Sequence, residues 1–252
     1  MVTIKNYTEI KKMKQAGHIN HMTHKLIQES IRPGITTKEL DEIAEEFIRS
    51  KGGIPSCLNY EGYPASICTS INEEIVHGIP SLKKLKKGDI ISIDICVEYQ
   101  GYQSDCAATY PVGEISPEKQ MLIRETKNAL MCGINAVKAG ATIGDIGFAI
   151  ESHAKKFKLG VVRELVGHGL GTSIHEEPDV PNFGKKGEGM VLKSGMTLAI
   201  EPMLNLGTRK VWMLDDDWTI VTQDGLPSAH FEHTVLVTDD GYIILTGEWY
   251  FG

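Results

Sequence analysis

The stretch "PGITTKELDEIA" (residues 33–44) has an echo later in the chain, "AGATIGDIGFAI" (residues 139–150). Gly34 aligns with Gly140, Thr36 with Thr142, Glu39 with Asp145 and Leu40 with Ile146. In the first stretch Thr36 or Thr37 is the expected helix N-cap, with Glu39 near the third helical position. Further on, "GDIISID" compares with "GMTLAIE" at nearly the same offset, pairing Gly88 with Gly195 and Asp94 with Glu201. Between helix and strand, "VHGIP" faces "IHEEP", which pairs His77 with His175. The common order, helix, then histidine, then a strand ending in a carboxylate, predicts an internal duplication. A pseudo-twofold axis through such a duplication brings the matching carboxylates to one central place.

The rest of the chain reads as helices and strands without a low-complexity linker. "TEIKKMKQAGHINHMTHKLIQESI" has helical periodicity closed by Pro33-Gly34, and "SPEKQMLIRETKNALMCGINAVKAG" starts a helix at Pro117. "TIGDIGFAIESHAKKFKLG" is a further helix, and the C-terminal third is strand-rich with turn signals. A content of 41% hydrophobic and 23% charged residues is that of a globular chain able to bury a core. No apolar run reaches membrane-span length, and "MVTIKNYTEIKKMKQAG" is too charged for a signal peptide. A formal net charge of −7 argues against a general DNA or RNA binder. The five cysteines are scattered with no C-x-x-C, which suits reduced thiols in the cytoplasm. Nothing in these features demands more than a monomer.

"DIISIDICVEY" and "YQSDCAATYPV" read as strands around a Gln100-Gly101 turn. A two-residue loop pairs Tyr99 with Tyr102 and Cys96 with Asp105, and Asp94 shares the face of Cys96. Asp94 and Asp105 are then diagonal neighbours, about 7 Å apart at the backbone. Ionised aspartates in such apolar strands cost several kcal/mol each unless paired or bound to a cation. Glu201 in "LAIEPML" and Glu232 in "HFEHTVLV" repeat the pattern, and no basic residue in these strands stands ready to neutralise them. In "GHGLGTSIHEEP" the alternate glycines argue against a helix, and Asp179 stands where a zinc-protease helix would carry its second histidine. His168 added to the four carboxylates makes a donor set suited to two divalent ions sharing bridging carboxylates.

Taken together, "HGIP", "IDI", "SDCAAT", "GHGLG", "HEEP", "AIEP" and "EHTV" resemble, in order and spacing, bacterial type I methionine aminopeptidase. The resemblance spans essentially the whole chain and implies one catalytic domain over residues 1–252. The implied fold is the α+β pita-bread fold, an antiparallel sheet with two helix pairs on its outer face. It implies two divalent ions; their identity is not readable, since an oxygen-rich site with one imidazole accepts manganese, iron, cobalt or zinc. Asp94 would hold one, His168 and Glu201 the other, with Asp105 and Glu232 bridging. The implied reaction removes methionine from the N-terminus of peptides and nascent chains, small second residues being preferred. Glu201 would shuttle the proton, His175 stabilise the oxyanion and His77 bond the scissile amide. Cys57, Tyr60, Tyr63 and Cys68 of "SCLNYEGYPASIC", with Trp218, match the family's methionine pocket. Ile174 stands where an aromatic residue is common, which alters the pocket's shape.

Proline-specific peptidases and creatinase share the fold, and a metal-free binding module is the non-enzymatic alternative. His18, His21 and His24 read as a solvated helix face, with His153 and His230 placed likewise. His233 alternates to the strand face opposite Glu232. Lys83, Lys84, Lys86 and Lys87 read as a solvated loop, a transient touch on ribosomal RNA being the alternative. The aromatic tail "GEWYFG" carries no reading.

Overall fold

The computed structural model describes residues 2–247; the aromatic tail from residue 248 lies outside them. Each half of the chain opens on a helix pair, α1 (Tyr7–Ser30) with α2 (Thr37–Ser50) and α3 (Pro117–Ile134) with α4 (Ile143–Lys156). The first half carries β1 (Ile54–Pro55), β2 (Cys68–Ile71), β3 (Glu74–Val76) and the long hairpin β4 (Ile90–Tyr99) and β5 (Tyr102–Pro111). The second begins with β6 (Gly160–Val161), β7 (Gly167–Gly169), β8 (Glu176–Val180), β9 (Thr197–Ile200) and β10 (Met203–Asn205). It continues through β11 (Val211–Met213), β12 (Ile220–Thr222), β13 (Ser228–His230), β14 (His233–Val237) and β15 (Tyr242–Ile244). Among the described residues every strand pairing is antiparallel.

The duplication extends to individual backbone bonds. Thr36 caps α2 in a capping box with Glu39, and Thr142 caps α4 in the same way with Asp145. Satisfying the orphan N–H groups of each first turn from within the helix fixes where both helices begin. Gly34 N–H donates to the Leu85 carbonyl at 2.8 Å, and Gly140 N–H to Leu192 at 3.0 Å. Gly88 N–H bonds Val112 and Gly195 N–H bonds Val237, both at 3.0 Å. Both of these glycines sit at positive φ, +96° and +90°, where a side chain would be strained.

Alternation along β4 then sorts its side chains. Ile91, Ile93, Ile95 and Val97 are buried against Ile19, Ile27, Leu40 and Ile48 of α1 and α2. Leu122, Leu130, Ile146 and Ile150 of the other helix pair cover Leu198, Ile200 and Val235 in the same manner. Each such fully buried aliphatic side chain contributes roughly 1.5–3 kcal/mol. With both helix pairs occupying one face of the strands, Asp94 and Cys96 necessarily point to the other.

Candidate metal centre

Gln100 and Gly101 take φ of +51° and +81°, the two positive values that a type I′ hairpin turn requires. The register that follows puts Cys96 opposite Asp105 and Asp94 opposite Ala107. Across the pseudo-twofold axis, Ile200 pairs with His233, so Glu201 leaves β9 beside Glu232 as it enters β14. Glu232 N–H donates to the Ala107 carbonyl at 2.8 Å, tying the two halves together at the site.

Two threonines lock this arrangement reciprocally. Thr234 Oγ1 accepts from Asp105 N–H at 2.9 Å and donates to the Asp105 carbonyl at 2.8 Å. Thr109 Oγ1 does the same for His230, at 2.9 Å each way. At the offset that aligns Val112 with Val237, Thr109 corresponds to Thr234 and Asp105 to His230.

His168 lies on β7, wedged between β8 and β9. A Cβ on Gly167 would stand 2.3 Å from the Ala199 carbonyl oxygen, and one on Gly169 2.2 Å from that of Glu177. The flanking glycines are therefore demanded by the neighbouring strands. The Gly169 carbonyl lies 2.9 Å from His168 Nδ1, so Nδ1 carries the proton and Nε2 presents its lone pair to the site. Nε2 is 3.5 Å from Glu201 Oε1 and 3.8 Å from Asp105 Oδ2. Donor atoms of Asp105, His168 and Glu232 lie within 4.8 Å of one another, as do those of Asp94, Cys96 and Asp105.

The electrostatics fit a divalent cation. Burial raises the carboxyl pKa of Asp94, Glu201 and Glu232 well above the ordinary range, with the charge of Asp105 adding to each. Burial also pushes Asp105 up to about 7. Burial lowers His168 to about 4, keeping its ring neutral and able to ligate. Among the described residues the side chains paired with these carboxylates as bases are imidazoles, with no lysine or arginine. Asp94 Oδ1 and Glu232 Oε1 are buried with no hydrogen-bond partner. Buried oxygens without donors are costly, and a bound cation is the partner that satisfies them.

The cavity over these donors continues into an apolar side lined by Cys57, Tyr63, Cys68, Ile174 and Trp218. Tyr63 meets Trp218 edge-on with ring centroids 5.1 Å apart. His175 lines the same cavity, its ring 4.3 Å from that of His168 and its Nδ1 2.7 Å from the Tyr60 hydroxyl. His77 also lines it, holding φ at +59°, a value uncommon outside glycine. The following Gly78 anchors that turn, its carbonyl accepting from Tyr63 OH at 2.9 Å. Glu61 and Cys96 also line the cavity, beyond the site residues expected from the sequence. Cys96 carried a signal, since its register placed it opposite Asp105.

Residues 11–239 match metallopeptidase family M24. The chain is 48% identical over 246 residues to methionine aminopeptidase 1 of Bacillus subtilis (strain 168), covering 98% of this chain and 99% of that protein. The crystal structure of methionine aminopeptidase from Rickettsia prowazekii is similar at a TM-score of 0.97 and 42% identity, covering 98% of this chain and 100% of that one. An Xaa-Pro dipeptidase from Bacillus anthracis gives 0.77 at 25% identity, with 98% of this chain and 62% of that one covered. The chain belongs to metallopeptidase family M24, and its α+β architecture is the pita-bread fold. Within that family it belongs with the type I methionine aminopeptidases.

Three histidines expected on solvated faces are elsewhere. His24 is buried against β5, its Nε2 2.9 Å from the Cys106 carbonyl and its Nδ1 3.0 Å from Tyr110 OH. His153 sits between α3 and α4, 3.0 Å from Glu125. His230 is 1% exposed, with Nε2 3.8 Å from Glu201 Oε2. A polar helix or strand face turns inward where another element brings it a partner, and those partners come from distant parts of the chain.

Proposed function

We propose that this chain removes the N-terminal methionine from peptides and nascent proteins, favouring a small second residue, as a dinuclear metal-dependent aminopeptidase acting as a single catalytic domain. One observation carries the reading: five donors, Asp105, His168 and Glu232 buried and Asp94 and Glu201 half-buried, line a cavity together with apolar side chains and thiols. The proposed cofactors are two divalent ions, with cobalt, manganese, iron and zinc as candidates. Asp94 would hold one, His168 and Glu201 the other, while Asp105 and Glu232 would bridge. Bound there, the ions would polarise the scissile carbonyl and bring the pKa of a water toward neutrality.

The chain's own residues supply the rest. Glu201 takes the proton of the attacking water and passes it to the leaving amine. Donation from Tyr60 OH to Nδ1 of the neutral His175 leaves Nε2–H facing the cavity as a donor to the developing oxyanion. His77 bonds the scissile amide. Tyr63, Trp218, Cys57, Cys68 and Ile174 receive the thioether, which aromatic faces attract by roughly 0.3–1.5 kcal/mol.

Action as a monomer in the cytoplasm, without DNA or membrane, completes the proposal. Free thiols at all five cysteines support the cytoplasmic part of it. A transient ribosome contact would run through the Lys83–Lys87 loop, where Lys83 and Lys87 already pair with Glu74 and Glu114.

The decisive test offers a Met-Ala peptide and an Ala-Pro peptide to metal-loaded and to chelated protein. Methionine release that stops on chelation is the expected result. Cleavage of Ala-Pro alone would reassign the enzyme to proline peptides, and hydrolysis of neither by metal-loaded protein would leave a binding module.

A further inference from the structure

The alternation that turns Asp94 into the cleft turns Cys96 with it, and none of the roles above uses that thiol. Cys96 is 6% exposed, and its Sγ stands 3.1 Å from Asp105 Oδ1. Its sulfur and an oxygen each from Asp94 and Asp105 lie within 4.8 Å of one another. Protein ligands sit roughly 2.0–2.3 Å from a bound transition metal, so atoms sharing one ion are at most about 4.6 Å apart. A sulfur and an oxygen on the same ion at a right angle are about 3.1 Å apart. The Cys96 thiol, which donates to Asp105 Oδ1, therefore already stands at the separation that two atoms sharing a cation would keep.

We infer that Cys96 is a further protein ligand of the ion held by Asp94 and Asp105, a soft thiolate in a set otherwise built from carboxylates and one imidazole. The inference rests on the metal centre proposed above. On binding, the Sγ–H bond breaks, the sulfur lone pair forms the bond to the metal, and the proton passes to solvent. Thiolates select zinc and cadmium over manganese, whereas carboxylate sites accept manganese readily. The two metal positions are thereby made unlike: oxygen and sulfur donors surround one, oxygen and nitrogen donors the other. Cys57 packs in the same buried cluster as Cys96 and serves as the control for it.

The experiment loads the full chain with Co(II) under anaerobic conditions and records its absorption. Visible ligand-field bands report occupancy, and a near-ultraviolet sulfur-to-cobalt charge-transfer band reports a thiolate ligand. The expected result is a charge-transfer band that Cys57→Ser keeps and that both Cys96→Ser and Cys96→Thr lose while their ligand-field bands persist. Cys96→Ser should also weaken Cd(II) binding about tenfold or more and leave Mn(II) binding within about twofold. Bound cobalt without that band, or a band surviving in Cys96→Ser, would overturn the ligand assignment and leave the metal centre standing. Failure of the wild-type chain to bind cobalt would overturn both together.

Discussion

The two halves of this chain share a frame and disagree about its contents. Capping boxes, turn glycines and the threonine clamps recur at matched positions, with bond lengths that differ by a few tenths of an ångström at most. At the positions facing the cleft, the first half places Asp94, Cys96 and Asp105. The corresponding residues of the second half are Glu201, Met203 and His230. Backbone conformation explains the constancy, because a positive-φ turn or an N-cap accepts few residues. A side chain in the cleft answers only to what it must hold. Duplication thus supplies a symmetrical enclosure, and divergence within it makes one side rich in oxygen and sulfur and the other in oxygen and nitrogen.

The sharpest way to break that comparison is at the carboxylates through which the halves meet. Asp105→Asn and Glu232→Gln should each lower kcat/KM for a methionyl peptide about 10³-fold, roughly 4 kcal/mol of transition-state stabilisation. Metal content measured on the same samples should fall in parallel; full activity in either variant would remove that residue from the centre.

The clamps offer a finer contrast. Thr109→Val and Thr234→Val each strand a buried backbone N–H and C=O, and denaturant titration should register a loss of about 2 kcal/mol for both. Only Thr234→Val loosens Asp105, so its kcat/KM should drop about tenfold further than that of Thr109→Val. Equal kinetic losses would mean that the halves contribute alike to catalysis after all.

Protonation separates the carboxylates from the imidazoles. A carboxylate whose folded pKa is raised stabilises fully below its unfolded value near 4 and loses that contribution as pH rises through the folded value, about 7 for Asp105. His168, lowered to about 4, works in the opposite sense, losing stability as pH falls from about 6.5 through 4. An unfolded imidazole is still about half protonated at about pH 6.5, so the carboxylates alone set the slope only above about pH 7.5. The Tm of chelated protein should therefore fall between about pH 7.5 and about pH 8.5. Saturating divalent metal should flatten that decline, and a metal-free Tm that climbs over the window would contradict the buried carboxylate cluster.

The smallest effect is the most direct test of the duplication. Thr36→Ala and Thr142→Ala should each cost about 1 kcal/mol, seen as a Tm decrease of about 2–4 °C. Losses differing more than about twofold would show that the two caps no longer do equivalent work.

Much of the fold was readable because its signals are local. A threonine three residues before an acid marks α2, and Gln100-Gly101 between alternating strands sets a register in which Asp94, Cys96 and Asp105 share a face. Cys96 was visible in that register, yet a thiol among isoleucines reads as core until Asp105 is seen 3.1 Å away. His24 and His230 could not be placed in advance. The groups that cover them, Tyr110 with the Cys106 carbonyl and Thr109 with Glu201, lie far off in the chain or across the pseudo-twofold axis.

Periodicity, caps and turns are short-range properties of the covalent chain, so the amino-acid order was enough to establish the duplicated helices, the hairpin and which residues share a strand face. Proton placement on His168, the donorless oxygens of Asp94 and Glu232 and the distance from Cys96 to Asp105 were decided by packing. Each depends on how closely two halves approach once their helices have covered the same side of the strands, and that separation is a property of the assembled core.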